Sequence, residues 1–277
     1  MDSVNLPYFD RILSAVQEEP DSEAVQAFGT RHVHWGYFSS PDLADPSTPE
    51  MLAAAEAMSQ RMSAIAGVAD GARVLDVGCG FGGTIASISE RFNNVELVGL
   101  NIDGRQLARA RELVRPRPGN KIEFVEGDAC RLPFPDASFD AVLAVECIFH
   151  FSSRRRFFQE ARRVLKPGGK LAVSDFVSLT RMLPFTIPLH VANLVNKKHF
   201  YGALNPLMFT PWAYRLLAQR SGFHQTLDED VTPNTVPTYR FMARMANNEA
   251  GRAMTRVQEA IAKWGIIRYR LMSFVAA

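Results

Sequence analysis

The sequence predicts an α/β fold built on one mostly parallel sheet, and three observations carry that expectation. From Ala72 onward, short β-branched runs alternate with segments whose apolar residues recur at helical spacing, the pattern of βαβ units. The first run, Val74-Leu75-Asp76-Val77, passes directly into Gly78-Cys79-Gly80-Phe81-Gly82-Gly83 and then into a helical segment. Glycines there let the backbone turn tightly and approach a ligand with no Cβ in between. The chain has 277 residues, 47% hydrophobic and 22% charged, values that suit one domain around one core.

The elements follow in order. Residues 1–70 are expected to form a helical cap, because Tyr8–Val16 and Pro49–Ile65 carry apolar residues at helical spacing. Between them, Arg31 to Phe38 is unusually aromatic for a loop. Residues 71–176 hold strand candidates Arg73–Val77, Val95–Leu100, Lys121–Val125, Ala141–Val145 and Lys170–Ser174. Helices are expected at Gly83–Arg91, Arg105–Val114 and Arg154–Leu165, the last stopped by Lys166-Pro167-Gly168-Gly169. Residues 177–222 form an apolar, proline-punctuated insert that reads as a lid at the ligand edge of the sheet. Residues 223–277 return to the core with strands at Phe223–Asp230 and Ile266–Phe274 and a helix at Ala250–Lys263.

Composition excludes several classes of function. With 31 Lys+Arg against 29 Asp+Glu, interleaved along the chain, there is no one-signed basic face for a nucleic acid. Cys79, Cys130 and Cys147 are too few and too scattered for a disulfide framework or a zinc site, and the histidines show no metal-ligand spacing, so no metal is expected. No run approaches the roughly 18 apolar residues of a membrane helix, and Met1-Asp2-Ser3 does not open a signal peptide. The expected setting is the cytoplasm, without integral membrane contact; the oligomeric state stays open.

Gly78, Gly80 and Gly83 spell G-x-G-x-x-G, which nicotinamide and flavin folds also use. Asp76 speaks against a diphosphate there, since its carboxylate at the strand end would repel one and suits an ammonium group. At the end of the second strand, where dinucleotide folds place an acid for the ribose, stands Asn101.

Five pieces in order, Asp76-x-Gly78-x-Gly80, Asn101, Gly127-Asp128-Ala129 with Leu132-Pro133-Phe134, Phe139-Asp140, and Leu165-Lys166-Pro167-Gly168-Gly169, resemble the class I S-adenosylmethionine-dependent methyltransferases over residues 30 to 180. The resemblance implies a Rossmann-like, seven-stranded sheet with helices on both faces, and S-adenosyl-L-methionine as cofactor. It places Gly78, Cys79 and Gly80 beside the methionine part, Asn101 and Ile102 at the ribose and adenine, and Asp128 and Ala129 at the adenine amino group. The family usually has Asp or Glu where Asn101 stands. Small-molecule members with a neutral residue there often pair it with a later glutamine, which Gln106 matches; otherwise Gln106 is an exposed helix residue.

An acceptor oxygen needs its proton removed, and histidine titrates in the right range. Glu146-Cys147-Ile148-Phe149-His150 follows the fourth strand and is similar to the Glu-x-x-x-His stretch of sugar and natural-product O-methyltransferases. That resemblance implies His150 as base with Asp175 beside it. The alternatives are a packed histidine and a turn-forming aspartate. Glu146 is expected near the cofactor, orienting the acceptor; the stretch also resembles sterol-type C-methyltransferases, in which an acid there faces a carbocation. His34 and Tyr37, in a segment with a counterpart in many small-molecule members, are candidate pocket residues or an aromatic plug.

Phe149 and the insert residues Phe185, Phe200 and Tyr201 are expected to wall the acceptor site. Phe176 through Leu227 holds no acid but has Arg181, Lys197, Lys198, Arg215 and Arg220, which suits a hydrophobic acceptor carrying an anionic group. The function expected is O-methylation of a hydrophobic small molecule in specialised metabolism. C-methylation of a polyketide, prenyl or sterol-like acceptor through Glu146 is the alternative, and N-methylation stands third. The rivals of another class are an NADP-dependent oxidoreductase and a non-catalytic ligand-binding module.

Overall fold

The computed structural model describes residues 7–45, 47–184, 209–246 and 248–277. Its strands are β1 (Arg73–Val77), β2 (Glu96–Asn101), β3 (Lys121–Glu126), β4 (Phe139–Val145), β5 (Leu165–Ser178), β6 (Phe223–Asp230) and β7 (Ile267–Ala276). They form one seven-stranded sheet in the order β3-β2-β1-β4-β5-β7-β6. β1 to β5 pair in parallel, and β7 is antiparallel to both β5 and β6.

Alternation along the strands sends side chains to two faces. Leu75, Val77, Val142, Ala144, Leu171, Val173, Met272 and Phe274 share one core with α6 (Arg154–Val164) and α7 (Pro211–Arg220). Val74, Leu143, Val145, Ala172, Tyr269 and Leu271 share the other with α3 (Thr48–Ile65) and α4 (Gly83–Arg91). The central strands are buried on both faces, which is why they read as near-continuous apolar runs. The remaining helices are α1 (Pro7–Glu18), α2 (Glu23–Phe28), α5 (Gly104–Leu113), α8 (Thr232–Met245) and α9 (Glu249–Lys263).

Three helices were not expected. The six-residue α2 is too short for periodicity and is started by Ser22, whose hydroxyl accepts from Val25 N at 3.4 Å. In α8, Pro233 and Pro237 look like breakers. Pro233 sits in the first turn, where a missing N–H costs nothing, and Pro237 is buried inside the helix. The third, α7, changes the expected lid: Thr210 caps it, and Tyr214 and Ala218 are fully buried in the main core. The C-terminal part of the insert is therefore part of the sheet's covering layer.

Candidate active site

The turn after β1 is shaped by its glycines. Gly78, Gly80 and Gly82 have φ of +71°, +55° and +80°. A Cβ on Gly78 would lie 2.6 Å from Cys147 Cβ, and one on Gly83 would lie 2.5 Å from Arg31 O. The turn is thus pressed between the segment after β4 and the N-terminal cap. Gly78→Ala combines backbone strain with overpacking and is expected to destabilise the fold by roughly 2–4 kcal/mol, read as a lower urea midpoint at unchanged slope.

In front of this turn lies a cavity of about 230 Å³, walled by the ends of β1, β2 and β4 and closed by Phe9 of α1 and the strap Arg31 to His34. Asp76 lines it, 2% exposed, with no hydrogen-bond partner for its Oδ1 among the described residues. Burial alone raises its carboxyl to about 8. A buried carboxylate with no protein donor for its Oδ1 among the described residues is suited to pair with a cation. With the room left by Gly78 and Gly80, that need fits the ammonium end of an amino-acid-bearing cofactor.

Asn101 and Gln106 meet across the next strand end: Asn101 Nδ2 donates to Gln106 Oε1 at 3.0 Å, and Asn101 Oδ1 accepts from Asp103 N at 3.1 Å. Gln106 is 1% exposed and lines the cavity, so the surface alternative for it falls. Ile102, Asp128 and Ala129 line the same end, with Asp128 Oδ1 accepting from Cys130 N at 2.8 Å. Cys79 and Cys147 also border the cavity, and burial pushes both thiols well up, leaving them packing groups.

Glu146 projects from the end of β4 with φ of +49°, a strained value for a side-chain-bearing residue. Its Oε1 accepts from Trp35 N at 2.7 Å and from the Tyr269 hydroxyl at 2.5 Å, which ties the cap to β7. Burial drives its carboxyl up to about 8 in spite of both donors. His150 ends the single 3-10 turn that follows and also lines the cavity. Burial, then the charge of Arg154, lowers it to about 4, so the imidazole is neutral at neutral pH.

Asp175 is a correction. It does not line the cavity; fully buried on the α6 and α7 face, its Oδ2 accepts from Arg154 Nη2 at 3.1 Å and from the Tyr214 hydroxyl. Alternation in β5 turns residue 175 toward those helices and residues 174 and 176 toward the other face. Tyr37 is a second correction: its ring lies under the Arg61 guanidinium, 4.7 Å from centroid to carbon, outside the cavity wall. His34 does line the cavity, held by Trp35 O and Ser59 Oγ at 3.0 Å each; burial, then the neighbouring His32, lowers it to about 3. Phe149 is outside the wall, 4.5 Å from the His150 ring between centroids, while Phe151 is in it. Phe185, Phe200 and Tyr201 lie outside the described residues.

Arg154, Tyr214 and Tyr269, which hold the two buried acids, had no motif to announce them. So did the strap contact made by His32, whose Nε2 is 3.1 Å from Glu56 Oε2. Glu56, which burial would raise, is brought down to about 2 by hydrogen bonds from His32, Ser87 and Gln60.

Residues 75–173 match the family described as a methyltransferase domain. A curated relative, methyltransferase GfsG of Streptomyces halstedii, is 36% identical over 157 residues, covering 56% of this chain and 55% of that protein. The chain thus spans about half the length of this relative. The O-methyltransferase resE of Aspergillus sclerotiorum is 27% identical over 248 residues, 88% of each chain. Among solved structures, geranyl diphosphate C-methyltransferase from Streptomyces coelicolor A3(2), complexed with Mg2+, geranyl diphosphate and S-adenosyl-L-homocysteine, superposes with TM-score 0.71 at 19% identity, covering 99% of this chain and 100% of that one. At that identity the likeness is one of fold.

Proposed function

We propose, for a chain that belongs to the class I S-adenosylmethionine-dependent methyltransferases, that it methylates an oxygen of a hydrophobic small molecule, with His150 as the base. One observation carries this reading: a neutral imidazole and an unpartnered buried carboxyl, His150 and Asp76, line the same cavity. The resE relative, named an O-methyltransferase and aligned over most of both chains, supports the choice of oxygen.

The cofactor supplies an electrophilic methyl group on a sulfonium. The chain's own residues do the rest. Asp76, once ionised, would pair with the cofactor's ammonium, Asn101 and Gln106 would present amides to its ribose, and Asp128 and Ala129 would border its adenine. Holding donor and acceptor in line is worth roughly 7–11 kcal/mol of barrier. As the acceptor oxygen forms its bond to carbon, its hydroxyl proton turns strongly acidic. An imidazole that titrates near 4 is basic enough to take it at that moment and release it to solvent. A neutral imidazole also leaves the sulfonium without a like charge beside it.

Carbon methylation is the second reading, and Glu146 is the observation that favours it. Its carboxyl lines the cavity and is held by Tyr269 and Trp35 in one orientation, suited to facing a developing cation. A fold neighbour is itself named a geranyl diphosphate C-methyltransferase, which supports carbon as the acceptor atom in this second reading.

Titration calorimetry with S-adenosylhomocysteine, in buffers of differing ionisation enthalpy, tests the cofactor site. Asp76 is protonated in the free protein below about 8 and ionised beside an ammonium, so binding at pH 7 is expected to release close to one proton. Affinity should rise about tenfold per pH unit from 6 toward 8 and level off above. Binding with no proton release would remove Asp76 from the ammonium; binding of NADP instead would overturn the cofactor assignment.

A further inference from the structure

Behind the cavity wall, three polar side chains meet where α6, β5 and α7 converge. Arg154, the first residue of α6, sends its guanidinium to Asp175 of β5 and Tyr214 of α7: Nη2 donates to Asp175 Oδ2 at 3.1 Å, and Nε donates to the Tyr214 hydroxyl oxygen at 3.2 Å. The guanidinium carbon also lies 4.7 Å from the centroid of the Phe209 ring. The Tyr214 hydroxyl donates to the same Asp175 Oδ2, while the buried Oδ1 has no partner among the described residues. Asp175 and Tyr214 are fully buried, and the Arg154 side chain is 9% exposed. One carboxylate oxygen therefore takes both bonds, and burial raises the Asp175 carboxyl although Arg154 stands beside it. The positive charge is held in one place and only partly answered.

A buried ion pair is a poor source of stability, since apolar side chains of similar volume fill such a place as well or better. Apolar side chains would not supply a charge there. The 3-10 turn that ends in His150 runs directly into the anchored end of α6, where Ser153 caps the helix by accepting from Arg156 N at 3.2 Å. The first N–H groups of α6 add partial charge of the same sign as the guanidinium. We propose, on the reading of His150 as the base, that Arg154 is a positioning residue for methyl transfer acting through His150: Asp175 and Tyr214 fix its guanidinium behind the wall, and its charge keeps the imidazole free of a proton until the acceptor supplies one. The other groups able to carry charge along the cavity are Asp76 at the end of β1, Asp128 after β3, Glu146 after β4, and Arg31, His32 and His34 of the strap. Asp76 and Glu146 are raised to about 8 and both strap histidines are lowered, so these four are largely uncharged near neutral pH. Arg31 is answered by Glu90 at 3.0 and 2.8 Å, and Asp128 stands at the Asn101 end.

The test follows the histidine ring signals of the full, isotope-labelled chain by NMR as pH is varied, the His150 signal being the one absent from His150→Ala. In the parent, His150 should titrate near 4. Arg154→Gln removes the charge and should raise that midpoint by about one pH unit or more, and turnover in this variant should gain a fall at acid pH that the parent lacks. Arg154→Lys keeps the charge and should stay within about half a unit of the parent. Asp175→Asn breaks the same ion pair but leaves the positive charge in place, so its midpoint should match the parent's or lie lower. A role in packing alone predicts an equal rise in Arg154→Gln and Asp175→Asn, because either would loosen the turn and admit water. That result overturns the proposal, as does an unchanged midpoint in Arg154→Gln. Should Arg154→Gln not fold, Arg154→Lys decides: an ordinary midpoint near 6.5 in it overturns the proposal. Titrations that ignore the charge overturn this proposal and leave the base reading standing, whereas full turnover in His150→Ala overturns the base reading and this proposal with it.

Discussion

Asp76→Asn is expected to weaken S-adenosylhomocysteine binding by about a hundredfold or more and, in the same protein, to raise the melting temperature of the ligand-free state at pH 8. Both effects come from one carboxyl that is 2% exposed and has an unpartnered oxygen. Removing one member of a buried charge pair costs 2–5 kcal/mol or more of binding, which is the source of the lost affinity. The stability effect follows from linkage. The folded carboxyl titrates near 8 against an ordinary 3.8, so the folded state holds a proton that the unfolded state gives up. The ligand-free protein then loses stability as pH rises from about 4 to about 8. Asparagine carries no such penalty: the variant should match the parent below pH 4 and exceed it at pH 8. Glu146, raised from 4.5 to about 8, has the same sign and leaves a residual slope in the variant. Thermal melts across this pH range, with and without ligand, check both halves; an Asp76→Asn protein that binds normally would mean the ammonium sits elsewhere.

His150→Ala should lower turnover about 10²–10⁴-fold while leaving S-adenosylhomocysteine affinity within a few-fold. The imidazole lines the cavity and is neutral at working pH, the state a base needs. Because it titrates near 4, the parent's rate should not show the usual fall below pH 6.5 that an ordinary histidine base would give. The companion variant is Glu146→Gln, which keeps hydrogen-bonding capacity toward Trp35 and Tyr269 but cannot carry charge. If His150→Ala retains full turnover and Glu146→Gln loses it, the acceptor atom is carbon and the second reading replaces the first.

Much of the architecture was legible because it is local. β1, β6 and α4 begin and end at the expected residues, and the other expected elements lie within two residues of their ends, except β5, which runs from Leu165 to Ser178 through the expected turn Lys166-Pro167-Gly168-Gly169. Each is bounded by a change of hydrophobic period or by glycine and proline. Where those markers mislead, elements were lost: Pro233 and Pro237 hid α8, and the prolines around α7 made a core-packed helix look like lid. That several of the expected site residues share one cavity wall was equally readable. Asp76, Gly78, Gly80, Asn101 and Asp128 sit at strand ends, and parallel strands must bring their carboxyl ends to one edge.

The hydrogen-bond networks around Asp175 and Glu146 were not, because their partners come from distant parts of the chain. The pairing of Asp175 with Arg154 and Tyr214 joins residues 21 and 39 positions apart, and that of Glu146 with Tyr269 spans 123 positions. Spacing could place Asp175 after β5 but not say which face it would take, and alternation sent it behind the wall, to a guanidinium and a phenol. The sequence by itself determined the sheet, the glycine turn and the row of residues along its edge, since these depend on nearest neighbours and on strand direction. The tertiary structure alone decided which acids are buried, which are partnered and how far each carboxyl and imidazole is shifted, because desolvation depends on every element packed around a group.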